Sequence, residues 1–145
     1  MDGKLSTYRT IDTLGKSQID LILQVYDGAL AAFKAAGEHY RNDELQGGYE
    51  QLERARKFLV HLYTTLNQEG GREVASNLAK LYTYMICQID AVEASHDAAL
   101  IESNIKILDN LRAAWSDLKG QEAAQRRPVA AAAAEPGTGS FTTSG

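Results

Sequence analysis

The chain has 145 residues, 44% hydrophobic and 23% charged, with a formal net charge of −4. That length fits one domain with one core, and the acidic balance argues against a nucleic-acid partner, which needs a basic face. The single cysteine, Cys87, excludes an internal disulfide framework and suits a reducing cytoplasm. Residues 1–16 are polar with scattered Leu5, Tyr8, Ile11 and Leu14, and read as an irregular arm without the apolar run of a secretory signal. Both prolines, Pro128 and Pro136, fall near the end, so long helices are allowed before them. A first helix is predicted over 18–41, with Ser17 and Asp20 as a weak start signal. Its main stripe is Ile19, Ile22, Leu23, Tyr26, Ala29, Leu30, Phe33 and Ala36. Leu21, Val25 and Ala32 make a second stripe, which one bundle core does not obviously need. The run Leu21–Leu23 is broken by Gln24 and Asp27, far short of the ~20 apolar residues of a bilayer span.

Arg41, Asn42 and Asp43 supply a turn and an N-cap, and a second helix is predicted over 44–66. Leu45, Leu52, Leu59 and Leu66 recur every seventh residue, and Gly48, Ala55 and Leu62 fall three places after the first three of them. This is an a/d seam. Gly48 lies on it, which points to a close helix approach. The turn residues 67–71 end the helix. A third helix over 72–94 places Val74, Leu78, Leu81, Tyr82, Met85, Ile89 and Val92 on one face. After Ser95–Asp97, with Asp97 as N-cap, a fourth helix over 98–119 turns Ile101, Ile105, Leu108, Leu111, Trp115 and Leu118 inward. Short connections make neighbouring helices antiparallel, so the expected fold is all-α, an up-down four-helix bundle spanning 17–119. From Gly120 the composition turns to alanine, glycine, serine and threonine, and 120–145 is expected to be a disordered tail.

The chain carries no recognisable catalytic chemistry. A carboxylate-bridged metal bundle needs two Glu-x-x-His pairs and two further inward glutamates. Only Glu93 and His96 match; His39 and His61 follow Ala36 and Phe58 instead. No Gly-rich phosphate loop, Cys/His pair or catalytic carboxylate motif is present, so no enzyme activity, metal or cofactor is expected. What the sequence does carry is spare apolar and aromatic surface. To the second stripe of the first helix it adds Phe58 and Tyr63, then Tyr84 and Ile86. Taken together, such surface marks a binding groove or a self-association face.

Three blocks resemble a known family. "LILQVYDGAL" at 21–30 resembles a leucine-rich stretch ending in Tyr-Asp-Gly; "LNQEGGREVASNLAKLYTYM" at 66–85 resembles a double-glycine segment closing on Leu-Tyr-x-Tyr-Met; and "LRAAWSDL" at 111–118 resembles a closing Leu-Arg-x-Ala-Trp. With Tyr8 at the position of an N-terminal tyrosine, the blocks are similar in order and spacing to the flagellar export chaperones of the FliS family over residues 8–118. The chain departs from that pattern in three places: Ser17–Asp20 lacks a proline, Met85–Gln88 lacks basic residues, and Val92–Glu93 replaces an Ala-Asn pair.

The resemblance implies a cytoplasmic export chaperone. It would bind the C-terminal segment of flagellin, prevent premature polymerisation and help deliver flagellin to the membrane export gate protein. It implies no nucleic-acid partner, no stable membrane insertion, and a monomer or weak homodimer. The expected partner-binding residues are Tyr8, Ile11 and Leu14 on the arm, with Leu21, Val25, Tyr26, Tyr63, Leu81, Tyr82 and Tyr84 on the helices. The alternative reading is a homodimerising structural bundle with no client.

Overall fold

A computed structural model describes residues 18–66 and 71–134, with side chains to residue 124. Tyr8, Ile11 and Leu14 lie outside the described residues. The element order is α1 (Gln18–Arg41), α2 (Leu45–Thr64), α3 (Arg72–Ser95) and α4 (Ala99–Ala134). α1 packs on α2 and α4, and α3 packs on the same two, so the four helices close a ring around one core. Contacts between α1 and α4 run in opposite order along the two helices. Asp20 pairs with Lys119, Asp27 with Arg112 and Arg41 with Glu102. These helices are therefore antiparallel, as the expected four-helix fold requires.

The connections are built from local chemistry. Between α1 and α2, Asp43 takes a left-handed conformation (φ 60°), which a short polar side chain tolerates better than most. The expected cap therefore moves on by one residue. Glu44 is the N-cap, without a side-chain cap bond, and its Oε1 instead meets His39 Nδ1 at 2.7 Å. Gly71, with φ 101°, opens α3 in a conformation that suits glycine. Asp97 caps α4 as expected, its Oδ1 accepting from the Ala99 N–H at 2.9 Å.

The leucine seam of α2 is buried through Leu52, Ala55, Leu59 and Leu62. Leu45 is exposed and Leu66 half-buried, because the seam outruns its neighbours at both ends. Gly48 is explained by close packing: a Cβ there would stand 2.6 Å from the Tyr40 ring. Opposite, Tyr26, Ala29, Ala32, Phe33 and Ala36 of α1 are buried. Ala32, expected on the spare stripe, thus belongs to the core. Val74 and Leu118, expected inward, are exposed, since both lie in end turns of the bundle; Ala75 is the buried residue beside Val74. Asn104 is a buried polar residue of α4 that ties the helix to α3, its Nδ2 donating to the Met85 carbonyl at 3.1 Å.

The helical backbone of α4 runs on to Ala134, where a tail without structure was expected from Gly120. Alanine, glutamine, glutamate and arginine dominate 121–134, and all are strong helix formers. Local propensity therefore extends α4 through this stretch, past Pro128, whose missing N–H removes one helical bond. No helix among the described residues is long and apolar enough to cross a membrane.

Candidate functional site

Among the described residues, one end of the bundle is left open. The start of α1, the end of α2, the start of α3 and Trp115 of α4 surround an apolar cavity of about 240 Å³. Its walls are Leu21, Ile22 and Val25 from α1, Leu62 from α2, Leu66 just beyond it, and Ala75, Leu78 and Tyr82 from α3. Gln18, His61 and Thr65 supply a sparse polar rim. Leu21 is exposed and Ile22 and Val25 are half-buried, so no helix among the described residues covers this part of α1.

Beneath the cavity three aromatic side chains from three helices meet. Tyr26 Oη lies 2.6 Å from Tyr82 Oη, and Trp115 Nε1 donates to Tyr26 Oη at 3.2 Å. The two tyrosine rings are edge-to-face, 6.4 Å apart, an arrangement the ring quadrupole favours. Burial raises the pKa of both hydroxyls above the ordinary tyrosine value, so both stay protonated. One residue on, Asp27 Oδ1 and Oδ2 accept from Arg112 Nε and Nη2 at 2.5 and 3.2 Å, a two-pronged bond from α1 to α4. At Gly28 a Cβ would come within 2.5 Å of the Phe58 ring, so that ring lies directly on the α1 backbone. The three sequence blocks thus converge at one level of the bundle.

The expected partner-binding residues divide accordingly. Leu21, Val25 and Tyr82 line the cavity together. Tyr26 sits below it, fully buried, and acts on the site through Tyr82 and Trp115. Tyr63 and Tyr84 are exposed and Leu81 is half-buried, and none of the three lines the cavity. Tyr84 Oη instead accepts from Gln88 Nε2 at 2.5 Å. Residues absent from the expected set are Ile22, Leu62, Leu66, Leu78 and Trp115. All carried a core signal in the sequence, and periodicity does not distinguish a covered core position from one at an open end.

A second polar cluster lies between α2 and α3. Arg56 Nη2 meets Asp90 Oδ1 at 2.7 Å and Glu93 Oε1 at 3.4 Å, while its Nε meets Glu53 Oε2 at 3.1 Å. Three carboxyls therefore share one guanidinium. Burial, then the neighbouring Glu53, pushes the Glu93 pKa up to about 7. Glu53 moves the other way, chiefly through its hydrogen bond with Glu93. His96 is stacked on Tyr40, with ring centroids 5.9 Å apart. Both members of the Glu93/His96 pair thus have structural partners, and no metal-binding cluster exists among the described residues.

The family model for the flagellar protein FliS matches residues 1–122. The flagellar secretion chaperone FliS of Salmonella typhimurium is 31% identical over 106 residues, covering 72% of this chain and 78% of the relative. The flagellar secretion chaperone FliS of Bacillus subtilis is 24% identical over 96 residues, covering 66% and 71%. A crystal structure of a bacterial flagellar chaperone superposes with a TM-score of 0.69 at 19% identity, over 83% of this chain and 99% of that one. The last comparison concerns the fold alone. With the family model spanning nearly the whole described bundle, the chain belongs to the FliS family of flagellar secretion chaperones, which are not enzymes.

Proposed function

We propose that this chain binds the C-terminal segment of flagellin in the cytoplasm, prevents its premature polymerisation and assists its delivery to the export gate protein. The observation that carries this reading is the open apolar end of the bundle, where Leu21, Val25, Leu62 and Leu78 form a cavity with few polar groups. Such a surface suits an amphipathic helical segment that inserts side chains at i, i+3 and i+4 spacing. No nucleotide is required, because burial of the client's apolar face offsets the cost of ordering it. The N-terminal arm is the cavity's cover when no client is present. In support, Gln18, the first residue of α1 and the next in sequence after the arm, stands on the cavity rim.

Titration calorimetry with a C-terminal flagellin peptide tests the reading. Saturable one-to-one binding is expected, weakened at least ~10-fold by Leu21→Asp, which places a charge on the apolar wall. Absence of binding by the parent chain, with sedimentation showing a concentration-dependent dimer, would favour the homodimer reading instead.

A further inference from the structure

Among the described residues Asn104 is the only non-aromatic polar side chain in the buried core, and it is fully buried. Its Nδ2 donates to the Met85 carbonyl at 3.1 Å, while its Oδ1 is buried among the described residues without a hydrogen-bond partner. The Met85 carbonyl lies inside α3, four residues before Ile89, so the helix already supplies it with a donor. An apolar side chain at 104 would therefore orphan nothing on α3 and would remove a stranded acceptor. Stability alone does not account for an asparagine here.

The spacing of the core residues does. Ala75, Leu78, Tyr82, Met85, Ile89 and Val92 of α3 are buried at alternating steps of three and four. On α4, Ile101, Asn104 and Leu108 are buried and Leu111 and Trp115 pack on the core, at the same steps. Such a seam maps onto itself when one helix slides along the other, so apolar packing alone sets the register weakly. A single buried asparagine sets it firmly, at a cost in stability. The short turn 96–98 tethers α3 only at the end away from the cavity. Arg56 reaches Asp90 and Glu93 of α3 through a long side chain that follows a shift.

We propose that Asn104 is a positioning residue for the cavity: by holding the Met85 carbonyl it sets the height and rotation of α3, and with them the part of the cavity wall that Leu78 and Tyr82 contribute. Tyr82 precedes Met85 by three residues, nearly one turn, and its Oη lies 2.6 Å from Tyr26 Oη. α3 is thus held at two adjacent levels by two different helices, α1 at Tyr82 and α4 at Met85. The consequence for binding rests on the flagellin reading above, and the register of α3 does not.

Asn104→Leu keeps the branching at Cγ and removes the polar groups; Asn104→Val removes them with less added volume. At least one of the two is expected to melt at or above the parent temperature. In backbone amide spectra of that free variant, signals along α3 are expected to be doubled, broadened or displaced, where the parent shows one set. Its affinity for a C-terminal flagellin peptide is expected to fall about 3–10-fold, the loss when the competent register is populated at roughly 10–30%. Signals of α3 that change only next to residue 104 overturn the proposal. So do melting temperatures well below the parent in both variants, or failure of both to fold, since asparagine would then be a stabilising contact. Parent affinity in a variant with altered α3 signals also overturns it, by separating register from the cavity. If the parent chain does not bind the peptide, the flagellin reading falls, and the α3 signals alone decide the role of Asn104.

Discussion

Tyr26, Asp27 and Gly28 follow one another along α1, and successive residues on a helix project about 100° apart. Three consecutive positions therefore reach all three other helices: Tyr82 of α3 and Trp115 of α4 from Tyr26, Arg112 of α4 from Asp27, and Phe58 of α2 above Gly28. That geometry gives a Tyr-Asp-Gly motif a structural purpose beyond any contact with a client. A second residue-scale consequence concerns Glu93. Its Oε2 is buried and has no hydrogen-bond partner; a proton on Glu93, shared with the Glu53 carboxylate, completes the bond. The folded pKa of Glu93, about 7, lies above the ordinary 4.5, so the native state holds this proton more tightly than the unfolded chain. Its contribution to stability is full below about 4.5 and is lost as the pH rises through about 7. The lowered pKa of Glu53 acts in the opposite sense, contributing above 4.5 and fading as the pH falls through its depressed value. Thermal melts from pH 6 to 8 should show falling stability in the parent and a flatter profile in Glu93→Gln, which keeps a donor without the charge. Parallel profiles would mean that Glu93 is ionised in the folded protein throughout this range.

At the scale of elements, α1 looked too apolar for one core, and its neighbours account for most of the excess. A helix in a closed ring touches two others, so its buried face is wide, and Ala32 and Ala36 let α2 and α4 approach closely. The first turns, with Leu21, Ile22 and Val25, line the cavity left by the described residues. α4 presents the opposite case. Its helix continues to Ala134, yet Gly120, Gln121, Ala123 and Ala124 are exposed. Helical propensity supports this stretch, Glu122 is half-buried, and isolated helices of such length are marginal in water. Ending the chain after Gly120 should therefore move the melting temperature by less than about 4 °C, the shift expected for under ~1 kcal/mol in a domain of this size. A larger drop would show that the extension packs on the bundle.

For the whole molecule, the proposed reading places binding at the cavity-bearing end of the bundle. That arrangement makes occupancy of the cavity a competition. Ordering an arm costs about 1–2 kcal/mol per residue, whereas burying one leucine or tyrosine returns about 1.5–3 kcal/mol. On the proposed reading, an arm with only Leu5, Tyr8, Ile11 and Leu14 is expected to be a weak cover, displaced by a client with more apolar contacts. Deleting the chain through Leu14 should leave the bundle folded by circular dichroism and tighten peptide binding in calorimetry. Weaker binding would make the arm a direct contact, and unchanged affinity would separate it from the site altogether.

Periodicity determined the four helices and the seam of Leu52, Ala55, Leu59 and Leu62, because burial repeats along a helix with the period of the helix, and the short connections determined their antiparallel order. Spacing placed Asp97 as a cap and gave Gly48 a reason, since both effects are local or need only one close neighbour. Leu21 and Val25 were legible as spare apolar surface, whereas Tyr82 read as a core residue and joined the expected site through the family resemblance. Tyr63 and Tyr84 looked the same in the sequence, and only the fold put them elsewhere. The tertiary structure also decided which core residues border the cavity, Leu62 and Leu78 among them, and brought Tyr26, Tyr82 and Trp115 to one point. A one-dimensional pattern reports that a side chain is apolar; whether another helix reaches far enough to cover it depends on where each helix ends relative to its partners, 56 and 89 residues away along the chain for the two hydrogen bonds of Tyr26.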